Sequence, residues 1–529
     1  MNNPLLEILR DAIGAANVLT DDASCRLYSQ DVFTRDQPAA AVIRPGSTAE
    51  LSACVKAAVA AGVALVPRGG GMSYTSGYVP ATADAVIVDM RRMDRVLEIN
   101  REDMYVTVEA GCTWNTLHQA LAETGLRTPY WGTLSGLYAT VGGGLSQNSV
   151  FWGSGRYGTA VDSVLALEVV LADGSVLHTG GGTRPQGQPF MRNYGPDLTG
   201  LFLADTGALG FKTRATLRLL PEFTARRYLT FAADSADAMM SFMSEVSRRQ
   251  LATEVFGFDP FLQEQRLKRE SLAKDVKALA GVMKSAGGFG KALKEGAQVV
   301  MAGRRFLKDA GFSAHLIVEE SCEAAAEDAQ SRIRQLAGPL GLKELENSIP
   351  KILRANPFGP VNSMIGPNAE RWVPVHGLLP HSKAKPAYEA LEAVLERHKA
   401  DIERFDIGIG YLFTTVSAST LLIEPVFFWP DSLNELHHHA VERGHLEKLK
   451  GFPENPEARA AVTRIRTDMI AAFDQFGAVH LQIGKAYPYQ PTLQAEAWQL
   501  LTRIKALLDP AQLINPGSLG LGIPGGHSE

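Results

Sequence analysis

The 529-residue sequence predicts an α+β fold, on three observations. A strand–helix–strand unit runs from Ala41 to Gly71 and closes on consecutive glycines. A β-hairpin is written into Thr159–Thr179, where two Val/Leu-rich runs flank Asp173-Gly174, a strong short-range turn signal. Beyond Pro221 the glycine- and strand-rich character gives way to helical stretches around two apolar runs, Ile407–Phe413 and Thr420–Trp429.

Taken in order, Val42-Ile43 is β-prone and stops at Pro45-Gly46. Ser47 or Thr48 can cap a helix whose Leu51, Val55 and Val59 recur at four-residue spacing and therefore share a face. Gly62 ends that helix, and Val63–Val66 reads as a buried strand. Strands are predicted at Ala85–Asp89 and Tyr105–Glu109, a helix over Thr113–Thr124, and a further strand from Phe211 to Leu220. Near the end, a helix over Leu493–Leu508 precedes the segment DPAQLINPG.

Composition narrows the function classes. A formal net charge of −5 gives no global attraction to nucleic acid. The four cysteines (Cys25, Cys54, Cys112, Cys322) lie far apart, which argues against a disulfide scaffold or a cysteine metal site and fits a reducing compartment. The N-terminus, with acids among its apolar residues, does not read as a signal peptide, and no run of uncharged apolar residues is long enough to span a membrane. The expected setting is the cytoplasm. One segment departs from the average: residues 262–311 carry eleven Lys/Arg against five acids. That segment reads as basic amphipathic helices, by default a solvated face of a second domain, and otherwise suited to an anionic membrane surface or a protein electron acceptor.

Three glycine-bearing loops suggest a ligand. Arg68-Gly69-Gly70-Gly71-Met72-Ser73 follows a buried strand, where side-chain-free backbone can approach a diphosphate. It matches neither the P-loop nor the Rossmann fingerprint. Gly132–Gly158 (GTLSGLYATVGGGLSQNSVFWGSGRYG) is unusually dense in glycine, and such a loop is costly to order without a ligand or close packing. Leu203–Phe211 (LADTGALGF) is the third.

In that order, and with the terminal DPxxLxNPG, these motifs resemble the FAD-binding fold of the vanillyl-alcohol oxidase/p-cresol methylhydroxylase flavoproteins, over residues 35–222 and 476–520. The resemblance implies a two-subdomain FAD-binding domain of the PCMH type, contributed by residues 1–222 and 476–529. Residues 223–475 would form an α+β cap, or substrate, domain with an antiparallel sheet and flanking helices. It implies that Arg68 to Ser73 hold the diphosphate, and that Gly132, Thr133, Ser135, Gly136, Thr140, Gly142, Gly143 and Asn148 line diphosphate, ribityl chain and ring. Tyr157, Gly158 and Asp162 would close over the flavin, Leu209 and Gly210 would meet the adenine side, and Asn515 would mark the return to the FAD domain. Family members that bind FAD covalently place a linking residue where this chain has Met72, Ser135, Gly136 or Thr420–Leu421, none of which can make the bond. Dissociable, non-covalent FAD is therefore expected.

The resemblance also implies an activity: oxidation of a small hydroxy compound, an aryl or phenolic alcohol or a hydroxyacid, by hydride transfer to flavin N5. Reoxidation would be by O2, a cytochrome or a quinone-linked carrier. Such chemistry needs a base for the hydroxyl proton and positive charge near the ring. The C-terminal run His480–Tyr489 offers Lys485 for the charge, with His480 and Tyr487 to orient or deprotonate substrate. His438, in the triplet His437–His439, is a further catalytic candidate; adjacent residues on a helix do not share a face, so the three could not easily hold one metal together, whereas i, i+4 spacing would let one of them pair with Glu435, Glu442 or His445. His376, His381, Arg354 and Arg404 are weaker candidates, and Trp372, Phe427, Phe428 and Trp429 form either an aromatic pocket or core. The ligand-bearing HAGDGNLH and GEHGIG motifs of the metal-dependent D-2-hydroxyacid branch are replaced by FTTVSAS and LQIG, so no metal is expected. A metal-independent D-2-hydroxyacid dehydrogenase, a non-redox flavin enzyme and a non-catalytic flavin module remain as alternatives. A homodimer is left open.

Overall fold

The computed structural model describes residues 3–269 and 311–522. Most of the basic 262–311 segment, residues 270–310, lies outside them. No helix among the described residues is long and apolar enough to cross a membrane. The four cysteines are free, three of them buried.

The N-terminal sheet holds β1 (Val18–Leu19), β2 (Ala41–Ile43), β3 (Leu65–Arg68) and β4 (Val86–Asp89) in the order β1-β2-β4-β3, with β2 and β3 both parallel to β4. The helix Thr48–Ala60 makes the crossover. Ser47 caps it by accepting the Glu50 N–H at 3.2 Å, and Leu51 and Val55 are buried with Leu5 and Leu9 of the helix Asn3–Ile13. The second sheet is antiparallel, built from β5 (Val96–Asn100), β6 (Tyr105–Glu109), β8 (Val164–Val170), β9 (Val176–His178) and β10 (Phe211–Arg218). Its order is β5-β6-β10-β8-β9; the short β7 (Leu126–Arg127) and β11 (Leu220–Pro221) pair separately. The predicted hairpin is β8–β9, but β8 begins only at Val164. Before it, Asp162 accepts the Thr159 N–H at 2.7 Å and closes a helical turn.

The largest sheet carries β12 (Ala225–Ala233), β13 (Glu254–Phe258), β14 (Phe312–Glu320), β15 (Lys343–Leu345), β16 (Arg371–Pro374), β17 (Gly377–Pro380), β18 (Gly408–Val416) and β19 (Thr420–Trp429). Its order is β15-β12-β14-β13-β18-β19-β16, with β17 also on β19 and every pairing antiparallel. The two apolar runs are thus neighbours, β18 and β19. Helices Ala236–Arg248, Glu323–Ala337, His381–Arg397 and Pro456–Asp474 cover one face and form the main core with it. Side chains alternate across a strand, so Leu421, Ile423 and Phe427 enter that core while Leu422, Glu424 and Val426 point the other way.

The C-terminal segment returns to the N-terminal unit: Ile514 bridges Leu65, and the Asn515 N–H donates to the Leu65 carbonyl at 2.8 Å. It leaves the large sheet later than residue 475. Val479 still exchanges backbone hydrogen bonds with Leu378, and Gln482 is the position whose N–H reaches back, to Gln147 O at 2.7 Å.

Candidate active site: two adjoining cavities

The glycine loops meet in a cleft of about 900 Å³. Pro67–Ser73 leave the end of β3 and form one wall, residues between Thr133 and Ser149 a second, and Thr206-Gly207 with Gly210–Lys212 a third. The walls are backbone laid against backbone. A Cβ on Gly70 would overlap the Tyr138 carbonyl oxygen, and one on Gly69 would overlap Thr140 Oγ1. Arg68 is buried, with its guanidinium 4.7 Å from the ring of Tyr28 and 5.3 Å from that of Tyr78. Its Nε has no hydrogen-bond partner and burial depresses its pKa, which an anionic group in the cleft would offset. An extended cleft with backbone walls and an under-paired cation fits FAD: Arg68 and Gly69–Ser73 would hold the diphosphate, and the 133–149 wall the remainder.

The structure brings Arg68, Gly69, Gly70, Gly71, Met72, Ser73, Thr133, Ser135, Thr140, Gly142, Gly143 and Gly210 to this cleft. It places the other sequence candidates elsewhere. Gly132 and Gly136 pack under the Phe358 ring, which a Cβ at either position would strike. Asn148 ends the helix Val141–Gln147 with φ +53°. Gly158 makes room for Asp162, whose carboxylate caps the following turn, and Tyr157 stacks with Arg127. Leu209 is core. Asn515 is a brace: its Nδ2 donates to the carbonyls of Gly77 and Thr206, both at 2.8 Å.

A second cavity, of about 1100 Å³, joins the first at Met72, Thr133, Ser135, Ser149 and Gln482. The face of the large sheet turned away from its helices forms the roof, with Trp372 from β16, Leu412 and Thr414 from β18, and Leu422, Glu424 and Val426 from β19. Leu262 and Arg266 enter from the helix Pro260–Arg269. Glu424 opens on this cavity, and the apolar surroundings push its carboxyl up to about 7 against the opposing pull of Arg266. Tyr74 also lines it. Its phenol is held protonated by burial, its oxygen accepts from Gln482 Nε2 at 3.1 Å, and its ring meets Trp372 edge-on at 5.5 Å.

Sequence reasoning does not single out Glu424, Arg266 or Tyr74 as site residues. The available signal is one acid at the centre of an otherwise apolar strand, TLLIEPVFFW. The catalytic candidates that the sequence does offer lie apart from the cavities. Lys485 lines neither: its Nζ donates to Val79 O at 2.9 Å, Asn515 Oδ1 at 3.0 Å and Ser76 O at 3.3 Å, and burial among these neutral acceptors pulls its pKa down to about 7. Tyr487 and His480 stack with ring centroids 4.2 Å apart. The Tyr487 hydroxyl accepts the His376 N–H at 3.0 Å, and His480 Nδ1 sits 2.7 Å from the His376 carbonyl. This stack is buried behind Tyr74, whose ring is 6.0 Å from that of His376. His438 is exposed on the short helix Glu435–Ala440, while His437 is buried against Asn434. Among the described residues no cluster of three His, Cys, Asp or Glu side chains could hold a metal. Arg354 is committed to Glu319 at 2.8 Å and Glu222 at 2.7 Å, Arg404 pairs with Glu457 at the surface, and His381 faces the Ala418 carbonyl. Of the four aromatic residues considered for a pocket, Trp372 lines the cavity, and Phe427, Phe428 and Trp429 are core.

Comparison with known proteins agrees with this geometry. Residues 39–180 match the family described as "FAD binding domain". A probable mitochondrial D-lactate dehydrogenase of Danio rerio is 39% identical over 189 residues, 35% of this chain and 36% of the relative, so the match spans about a third of that protein. A D-lactate dehydrogenase of Archaeoglobus fulgidus is 25% identical over 480 residues, 90% of each chain. Among solved structures, p-cresol methylhydroxylase with substrate bound superimposes with a TM-score of 0.74 at 16% identity, covering 98% of this chain and 96% of that one. Residues 39–180 thus carry an FAD binding domain, and the chain as a whole has the fold of p-cresol methylhydroxylase.

Proposed function

We propose that the protein oxidises the CH–OH group of a 2-hydroxy acid, with FAD as electron acceptor and without a metal ion. The observation that carries this reading is Glu424, a carboxyl tuned to about 7 in a largely apolar cavity that opens directly onto the FAD cleft. A base with a pKa near the working pH combines a useful ionised fraction with good proton affinity. Glu424 takes the hydroxyl proton as the substrate carbon gives up its hydride. Arg266, in the same cavity, attracts the carboxylate, and the protonated Tyr74 donates a hydrogen bond to the substrate oxygen. Bound FAD supplies the two-electron acceptor. The products are a 2-oxo acid and a proton on Glu424.

The relatives named as D-lactate dehydrogenases favour a hydroxyacid over a phenolic substrate. A second reading, oxidation of an aryl alcohol, draws on Trp372, Phe151 and Tyr74 in the cavity wall. Among the described residues no histidine or cysteine lines either cavity, which supports a dissociable cofactor. The test is anaerobic bleaching of the yellow holoprotein by a panel of hydroxyacids and alcohols. Bleaching by hydroxyacids, suppressed in Glu424→Gln, sustains the proposal. Bleaching by aryl alcohols alone shifts it to the second reading, and bleaching by neither leaves a flavin-binding module without catalysis.

A further inference from the structure

The walls of the second cavity carry information about the substrate beyond its reacting carbon. Around Glu424 and Arg266 stand Leu262, Val361, Met364, Leu412, Leu422 and Val426, contributed by a helix, a loop and two strands. Leu412 is the direct cross-strand partner of Glu424, and Leu422 and Val426 flank it on the same face of β19. Lactate, whose only apolar group is a single methyl, cannot cover six apolar side chains contributed by a helix, a loop and two strands. A substrate that small would leave most of this apolar surface against water, which is unfavourable in proportion to its area.

We infer that the substrate is a 2-hydroxy acid bearing a bulky apolar substituent, an alkyl chain several carbons long or an aryl group, held against Leu262, Met364, Leu412 and Val426. The inference rests on the hydroxyacid reading above, and the experiment separates the two. Anaerobic flavin reduction is measured with glycolate, lactate, 2-hydroxyhexanoate, 2-hydroxyoctanoate and 3-phenyllactate. Burial of each methylene is expected to improve the apparent affinity about fourfold, giving two to three orders of magnitude between lactate and 2-hydroxyoctanoate. A flat or falling series overturns the bulky-substituent inference and leaves hydroxyacid oxidation standing. Reduction by none of the acids overturns both. Val426→Phe, which fills part of the cavity, should collapse the octanoate-to-lactate ratio at least tenfold, with flavin absorbance confirming a folded holoprotein. A folded variant with an unchanged ratio overturns the assignment of the substituent to this wall.

Discussion

The cleft and the cavity next to it are built by opposite means. In the cleft the ligand-facing surface is largely main chain: Gly69 and Gly70 lie so close to Thr140 and Tyr138 that no side chain could be added. In the cavity it is side chain, displayed by an antiparallel sheet whose register alone decides which residues face inward. A backbone surface depends little on which side chains the sequence carries, whereas a side-chain surface can be rewritten one residue at a time. The cleft should therefore fail through any added atom, and the cavity through the loss of one functional group.

The largest effect is expected from Glu424→Gln. It removes the base without changing shape, so anaerobic flavin reduction should slow by about 10²–10⁴-fold while FAD stays bound. Retention of the wild-type rate would remove Glu424 from the chemistry. Next comes Gly70→Ala, where overpacking against Tyr138 should cost about 1–3 kcal/mol, read as a ten- to hundredfold weaker FAD affinity in a titration of apoprotein. Unchanged affinity would mean that the loop yields, and the contrast with the cavity would lose its basis.

A smaller effect is expected from pH. Ionised Glu424 is the competent form, so the reduction rate should rise as pH increases through about 7 and level off above it, with that inflection absent in Glu424→Gln. Stability should move in the opposite direction. The folded carboxyl keeps a proton that the unfolded chain releases at ordinary carboxylate pH. Its contribution is therefore fully present at acid pH and is lost as pH rises through about 7. Thermal denaturation of wild type and Glu424→Gln across that range would show whether the two opposed trends share one group.

The same contrast explains which features are legible in the sequence. Glycine requirements are local, so the three glycine-bearing loops taken together point to the cleft, and the strand–helix–strand unit and the Asp173-Gly174 hairpin are legible for the same reason. Glu424 is not recognisable in TLLIEPVFFW, because its facing depends on pairing with β18 and on which face the helices cover. Gly132 and Gly136 show the limit in the other direction. They share the glycine signal of the cleft, yet they serve the packing of Phe358, a residue far along the chain. The histidine triplet is conspicuous in sequence and divided in space, with His437 buried and His438 exposed.

Lys485 lies between the two regions and gives the subtlest test of the contrast. Its Nζ ties the loop after the first glycine cluster to Asn515, and so braces the cleft from behind without lining either cavity. Lys485→Met should leave the rate of flavin reduction within about twofold and act on stability instead, since three acceptors lose their donor at roughly 1–3 kcal/mol in all. The sign of its pH dependence is distinctive. Burial lowers the folded lysine to about 7, while the unfolded lysine keeps its proton to much higher pH, so above neutrality the unfolded state binds more protons and stability must rise with pH. Relative to Lys485→Met, the wild type should gain up to about 1.4 kcal/mol per pH unit above 7, visible as a widening difference in denaturation midpoint between pH 7 and 9. A difference that stays constant with pH would show that the three oxygens keep the ammonium charged. A hundredfold loss of reduction rate would instead return Lys485 to the active site and make the brace part of the chemistry.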